Sequence, residues 1–283
     1  MKKISTTVYS AEPQMKHPIH LLLAMISDFG NSRELAWRLF VRNINAQYRQ
    51  TILGYLWAFL PPILTSITFV FLNSQKIINV SDTKFPYPVY VMLGTLLWQG
   101  FADAVNHQIK LLSQSRSMLV KIKFPREALI LAALSEVLFN FAIRSILFVA
   151  VFLWFGLPVP NTIYLVPVGV ASIMFFGFMV GVLLTPLAIL YKDIERGLMM
   201  VLSIWFFLTP VVYPAPSSFP ASVLVKYNPL SPLILTTRSW MTVGRVDDIV
   251  PFICVTIGSV ILLVVGWIIY RLAMPHLIAR IGS

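Results

Sequence analysis

Long apolar runs separated by short polar intervals dictate the kind of fold open to this chain. The cleanest covers residues 249–271, where no charged side chain occurs before Arg271. About 20 apolar residues cross the hydrocarbon of a bilayer as a helix. Helices also satisfy their own backbone hydrogen bonds, which lipid cannot do for them. Runs at about 51–73, 87–111, 128–155, 163–190, 198–213 and 249–271 are therefore expected to form six transmembrane helices of an all-α membrane protein. Composition agrees, with a mean hydropathy of +0.80 and 12% charged residues, against ~25% in a soluble domain. The rest, an N-terminal segment at 1–50 and a tail at 272–283, leaves no room for a soluble domain.

The formal net charge of +11 invites a nucleic-acid reading, but its distribution argues for topology instead. Sixteen of the 22 Lys and Arg fall in intervals on one side of the runs, five fall on the other, and Arg144 lies within a run. Basic residues near span ends stay on the cytoplasmic side, so both termini are expected in the cytosol of a multi-pass protein. The single cysteine, Cys254, lies in an apolar run and offers no disulfide or metal-thiolate spacing. Lys2 and Lys3 are followed by no apolar core of a cleavable signal.

The most basic interval, 112–127, carries Arg116, Lys121, Lys123 and Arg126 against one acid, Glu127. Pro125 disfavours helix at Phe124 before it, so residues 115–122 can form a separate amphipathic lever on the cytosolic surface. Such a segment is either a solvated loop or a docking helix for a cytosolic partner. From 31 to 50 the pattern is helical and amphipathic, with Ser32 as candidate cap and Glu34 in the first turn. A basic amphipathic helix beside a span lies in the membrane interface. Its Arg38, Arg42 and Arg49 suit an inner entrance for a pyrophosphate-linked lipid, or ordinary contact with anionic lipid.

Within the runs, Pro61-Pro62 predicts that the first span bends or is propped by neighbours or water. The second turns polar at Gln99, Asp103, Asn106 and His107, groups that must face protein or water. In the third, Glu136, Asn140 and Arg144 recur every four residues and are expected to form an intramembrane polar network with one another. Gly177 and Gly181 permit close helix approach. Residues 215–247 mix prolines with an apolar segment and are expected to form short re-entrant outer helices between spans five and six.

Enzyme signatures are missing. There is no Gly-x4-Gly-Lys-Ser/Thr phosphate loop and no His-Glu-x-x-His pair. Asp103 and His107 at i and i+4 have the spacing of an acid–base pair, and Asp247-Asp248 is a weak metal signal. No catalytic residue, metal site or cofactor is assigned to this chain. Energy for any transport must come from an ion gradient or another protein.

Four stretches carry a resemblance. Arg42-Asn-Ile-Asn-Ala-Gln-Tyr48-Arg49-Gln-Thr-Ile-Leu-Gly54-Tyr-Leu-Trp57 is followed by Pro61. Leu97-Trp98-Gln-Gly-Phe101 is followed by Lys121-Ile-Lys-Phe124-Pro125-Arg126-Glu127. Then come Tyr191-Lys-Asp193-Ile with Thr209-Pro-Val-Val-Tyr213, and Asn228-Pro-Leu-Ser-Pro232. Together they resemble the type-2 ABC permeases that export polysaccharide, over roughly 33–275. Asn43 departs from the pattern, which commonly has an acid after the arginine.

The resemblance implies a homodimer with two separate ATP-binding-cassette ATPase subunits, which would hold ATP and Mg. It implies export of a lipid-linked glycan (O-antigen, capsule or a teichoic-acid-like polymer) across the bacterial cytoplasmic (inner) membrane, with membrane lipids but no nucleic acid as further partners. Coupling to the ATPase carries over to Lys121, Phe124, Pro125, Arg126 and Glu127, within the basic interval that also holds Arg116 and Lys123. The membrane-surface helix carries over to about 33–50 and outer gate helices to about 216–244. Tyr55 with Phe59, and Trp98 with Phe101, share helix faces and suit a substrate path along which sugar rings slide; packing against neighbours is the competing role. An exporter of small lipophilic compounds, a secondary transporter and a membrane-embedded transferase are the alternatives.

Overall fold

The computed structural model describes residues 25, 27–49, 51–78, 80, 83, 85–121, 124–216, 218–246 and 249–282. The lead-in at 1–24, Lys84, Lys123, the Asp247-Asp248 pair and the Arg116 side chain lie outside that description. Every regular element among the described residues is helical. In chain order these are α1 (Arg33–Tyr48), a 3-10 turn (Gly54–Ala58), α2 (Leu60–Ser74), α3 (Tyr87–Gln114) and α4 (Arg116–Lys121). Then follow α5 (Glu127–Trp154), a 3-10 turn (Ile163–Leu165), α6 (Val166–Leu190), α7 (Asp193–Leu208), α8 (Ala221–Tyr227), α9 (Leu230–Thr242) and α10 (Ile249–Gly282). Three of them, Glu127–Trp154, Ile163–Leu190 with its leading turn, and Ile249–Arg280, are long and apolar enough to cross a membrane.

The core is built on α3 and α6, which lie side by side and run in the same direction. Phe101 stacks on Phe176 at 5.6 Å, and a side chain at Gly177 or Gly181 would strike the α3 backbone. The expected close approach at these glycines is what the structure has. α5 flanks α3, α10 flanks α6, and α2, α7 and α9 also pack on α3. Most of α3 is buried, including Gln108 and the length from Leu93 to Trp98. That explains how it tolerates polar residues that would be costly against lipid. α5 and α10 instead expose apolar residues such as Leu153, Ile257 and Ile261.

Four boundary expectations are corrected. Pro61-Pro62 does not bend a span; both prolines lie in the first turn of α2, where the missing N–H is an orphan anyway. The fifth run begins earlier and ends earlier, because Asp193 and Glu195 sit in the first turn of α7 and favour its positive end. The tail at 272–283 is not separate; α10 continues through Pro275 to Gly282. Ser32 is no N-cap, since its hydroxyl donates to the Asp28 carbonyl within helix that begins before α1.

α1 docks lengthwise on α5. Ala36, Leu39, Phe40 and Ile44 form its buried stripe, while Arg33, Arg38 and Arg42 stay exposed. Phe40 meets Phe139 edge-on at 5.7 Å.

The glycine contacts are testable. Built on Gly177, a Cβ would lie 2.7 Å from the Phe101 carbonyl oxygen and the Ala104 methyl; at Gly258 it meets nothing within 4 Å. Gly177→Ala should destabilise the purified chain by about 1–3 kcal/mol, seen as a lowered Tm by intrinsic fluorescence. Gly258→Ala should leave Tm unchanged or raised, as the gain of helix propensity there is up to about 1 kcal/mol.

Candidate functional site

Glu136, Asn140 and Arg144 do share one stripe of α5, but each bonds to another element rather than to the next residue in the stripe. Asn43 Nδ2 of α1 donates to Glu136 Oε1 at 2.7 Å. The Tyr48 hydroxyl donates to Asn140 Oδ1 at 3.1 Å, and the Asn140 amide nitrogen lies 3.4 Å from His107 Nε2 of α3. Arg144 pairs with Asp103 at 2.5 Å and also donates through Nε to the Ala58 carbonyl. The Glu–Asn–Arg stripe is thus a three-rung ladder joining α1 and α3 through α5, its partners drawn from those two helices. Self-pairing along one helix contributes only about 0.2–0.5 kcal/mol, whereas polar groups at this depth need close partners from neighbouring elements. Burial raises the Tyr48 phenol above its ordinary pKa although the Arg144 charge opposes this, so it remains a protonated donor.

The ladder also decides the Asp103–His107 pair. Its carboxylate and imidazole do not bond each other; His107 Nδ1 lies 3.1 Å from the Asp103 backbone carbonyl, and the carboxylate is taken by Arg144. An acid–base role is removed. Asn43 was missed as a site residue, its only signal being its departure from the acid that the resemblance expects. An acid there would set two carboxylates against each other, and the amide instead supplies Glu136 with a donor.

The basic interval is mounted on the far ends of α3, α5 and α10. α4 buries Leu119 in a cluster with Leu112, Leu129 and Met274, and presents Val120 and Lys121 outward. Phe124, Pro125 and Arg126 are half-buried. Glu127, expected among the coupling residues, is 4% exposed and faces into the chain. Its Oε1 accepts from Arg271 Nη1 at 2.9 Å, while Arg271 Nη2 donates to Asp28 Oδ2 at 2.8 Å. Arg271, the first charged residue after the last apolar run, is a clamp across three parts of the chain. Separations of 144 and 243 residues hide it from any spacing pattern. Arg38, Arg42 and Arg49 of the inner entrance are all exposed; Arg38 pairs with Glu34 and Arg42 bonds Asn43 Oδ1.

Of the aromatic residues expected along a substrate path, Tyr55 and Phe59 remain accessible, Tyr55 tilted on Tyr48 at 4.3 Å. Trp98 and Phe101 do not. Phe101 has no exposure and packs Phe176 and Trp205; Trp98 packs Phe101 and Phe206. These two rings fill the α3–α6–α7 junction in this conformation, the packing alternative.

At the opposite end, the chain leaving α7 is held by donors from three elements. Tyr87 and Tyr90 donate to the Val212 and Tyr213 carbonyls, and Arg238 of α9 to those of Pro210 and Val211. The buried Arg238 also sits 3.9 Å over the Tyr90 ring. Asn228 accepts from Trp205 and from the Leu230 N–H and donates to Thr209 Oγ1. The Thr209–Tyr213 and Asn228-Pro229 stretches are therefore two halves of one joint.

The sequence profile of the ABC-2 type transporter family matches residues 34–242. The chain belongs to that family. It is 26% identical over 245 residues to the O-antigen export system permease protein RfbA of Myxococcus xanthus, covering 86% of this chain and 93% of that protein. To the protein of the same name in Klebsiella pneumoniae it is 25% identical over 236 residues, 81% of this chain and 88% of that one. The ABC-2 match takes in the ladder, α4 and the joint after α7, while Arg271 lies beyond it.

In this ABC-2 chain the two kinds of arginine pair should behave differently. Arg271 is 10% exposed between acids of similar burial, whereas the Arg38–Glu34 side chains are 74% and 80% exposed. Arg271→Met should cost about 3–5 kcal/mol by leaving two buried carboxylates uncompensated. Arg38→Met should cost at most about 1 kcal/mol. Thermal unfolding of both purified variants in one detergent checks the ranking.

Proposed function

We propose that this ABC-2 chain is the transmembrane permease subunit of an ATP-driven exporter of lipid-linked polysaccharide, such as O-antigen, across the bacterial cytoplasmic membrane. The observation that carries the reading is the match to two O-antigen export system permeases over more than four-fifths of the chain. Six spans, α2, α3, α5, α6, α7 and α10, put both termini in the cytosol. α2 has 15 residues, about 22 Å of helix. The five-residue 3-10 turn before it adds about 10 Å, enough together for a ~30 Å hydrocarbon layer. α8 and α9 are the re-entrant outer helices of this reading, and α1 lies at the inner interface.

A second copy completes the conduit, and two separate ATPase subunits bind ATP and Mg. Docked on α4 and the Lys121–Arg126 stretch, they push the ends of α3, α5 and α10 when they close on nucleotide. Arg38, Arg42 and Arg49 meet the charged end of the lipid carrier, and Tyr55 and Phe59 offer apolar ring faces to sugars.

Affinity capture from native membranes tests the proposal. A cytosolic protein with a phosphate-binding loop should co-purify in equal amount. Val120→Asp combined with Lys121→Glu, two exposed positions on α4, should reduce it by about ten-fold or more at one working concentration. Retention of that partner by the variant, or vigorous export by the lone chain without ATP, overturns the reading.

A further inference from the structure

At the rung of the ladder nearest the basic interval, α1 and α3 diverge and leave a cavity of about 220 Å³. Its polar lining is Asn43 and Gln47 from α1, His107, Lys110 and Gln114 from α3, and Glu136 from α5. Gln47, Lys110 and Gln114 are exposed, so the cavity opens at the surface, while Glu136 is buried at its floor.

Two opposite charges, Glu136 and Lys110, act on each other across this cavity but share no ion pair within 4 Å. Glu136 accepts from Asn43 through Oε1, and its Oε2 has no hydrogen bond among the described residues. Lys110 takes part in none of the ion pairs among them. His107 is already engaged through both ring nitrogens. A lone anion entering here meets the Glu136 carboxylate, and a lone cation meets the Lys110 ammonium. A dipolar group carrying both signs satisfies both charges, and the Gln47 and Gln114 carboxamides can each donate and accept.

We propose that this cavity seats a zwitterionic amino-phosphate group, with its primary ammonium on Glu136 Oε2 and its phosphate on Lys110 and the glutamine amide N–H groups. The volume is below the ~300–1,000 Å³ of a site enclosing a whole small molecule, so a headgroup enters and its remainder stays outside. α5 carries exposed apolar residues such as Leu138, Ile146 and Val149 for acyl chains to cover. The site rests on α1 lying at the membrane surface, but needs no ATPase partner and no export. A bound headgroup bridges α1, α3 and α5, so membrane composition would set how firmly α1 is docked.

The full chain, purified into nanodiscs holding equal amounts of phosphatidylethanolamine and phosphatidylglycerol, is stripped of bulk lipid and the retained lipid counted by native mass spectrometry. Phosphatidylethanolamine should be retained about ten-fold over phosphatidylglycerol, and both Glu136→Gln and Lys110→Gln should abolish that preference. Phosphatidylcholine, whose quaternary ammonium has no N–H to give Glu136, should not replace it. Lys110 is exposed, so its variant decides the matter if Glu136→Gln fails to fold. Soluble O-phosphoethanolamine should compete whatever molecule carries the group. Retention of the phospholipid with no glycan present assigns the membrane as the source; direct binding of soluble O-phosphoethanolamine, lost in Lys110→Gln, without phospholipid retention assigns an amino-phosphate substituent on the cargo. Equal retention of phosphatidylglycerol, or a preference that survives both substitutions, overturns the proposal. None of these outcomes bears on partner capture by α4, so the two readings fail separately.

Discussion

The Arg144–Asp103 ion pair is the contact on which the arrangement of the first half depends. Its side chains are only 12% and 22% exposed, well inside two helices of 28 residues each. There each charge must be met by protein, and meeting it fixes α5 against α3 at a single register. The guanidinium also takes the Ala58 carbonyl, at the point where the 3-10 turn gives way to α2. One side chain thus positions the α3–α5 contact and the start of α2. The two rungs below it then bring α1 alongside α5, because Tyr48 and Asn43 reach Asn140 and Glu136 in the same order along the two helices.

The chain is clamped by arginine at both ends of the bundle, in two chemically different ways. Arg271 is neutralised by two carboxylates, Glu127 and Asp28. Arg238 meets no carboxylate among the described residues; it rests on two carbonyls and the Tyr90 ring. Gly94 is what permits this, since a side chain there would strike both the Val211 carbonyl and the Arg238 guanidinium. Carbonyls and a ring face stabilise a cation less than a carboxylate does. The joint after α7 is accordingly held by many neutral donors, with one charge among them.

What could be read in the sequence was whatever depends on local spacing. The four-residue recurrence of Glu136, Asn140 and Arg144, the Gly177–Gly181 pair and the separate helix after residue 115 all follow from helical period or proline sterics, and all are present. Their partners were not legible, because Asn43 stands 93 residues from Glu136 and Asp28 stands 243 from Arg271. The misplaced double proline has a simpler cause. Apolarity alone began the first span at 51, whereas the backbone from Gly54 to Ala58 is 3-10 and the α-helix starts only at Leu60. Trp98 and Phe101 were put on the right face of the right helix; apolar periodicity does not say whether a face meets a channel or a neighbouring helix.

How a push on α4 travels follows from what α4 touches. It packs on α3 and α10, and the residue that starts α5 is tied to α10 through Arg271. Neither α2 nor α7 makes a substantial contact with it among the described residues. A displacement there would act on α10 and on α3, the helix that packs on α2, α5, α6, α7 and α9 together. α3 is close-packed against α6 at Gly177 and Gly181, where even a methyl group would strike the α3 backbone. The two therefore move as one body, and the compliant contacts are those at its edges, with α2 and α7. Those edge helices expose apolar rows, Leu64, Ile67 and Phe71 on one and Met200, Ile204 and Phe207 on the other. Of these two, α7 is the more loosely held, since α2 packs on α3 far more extensively.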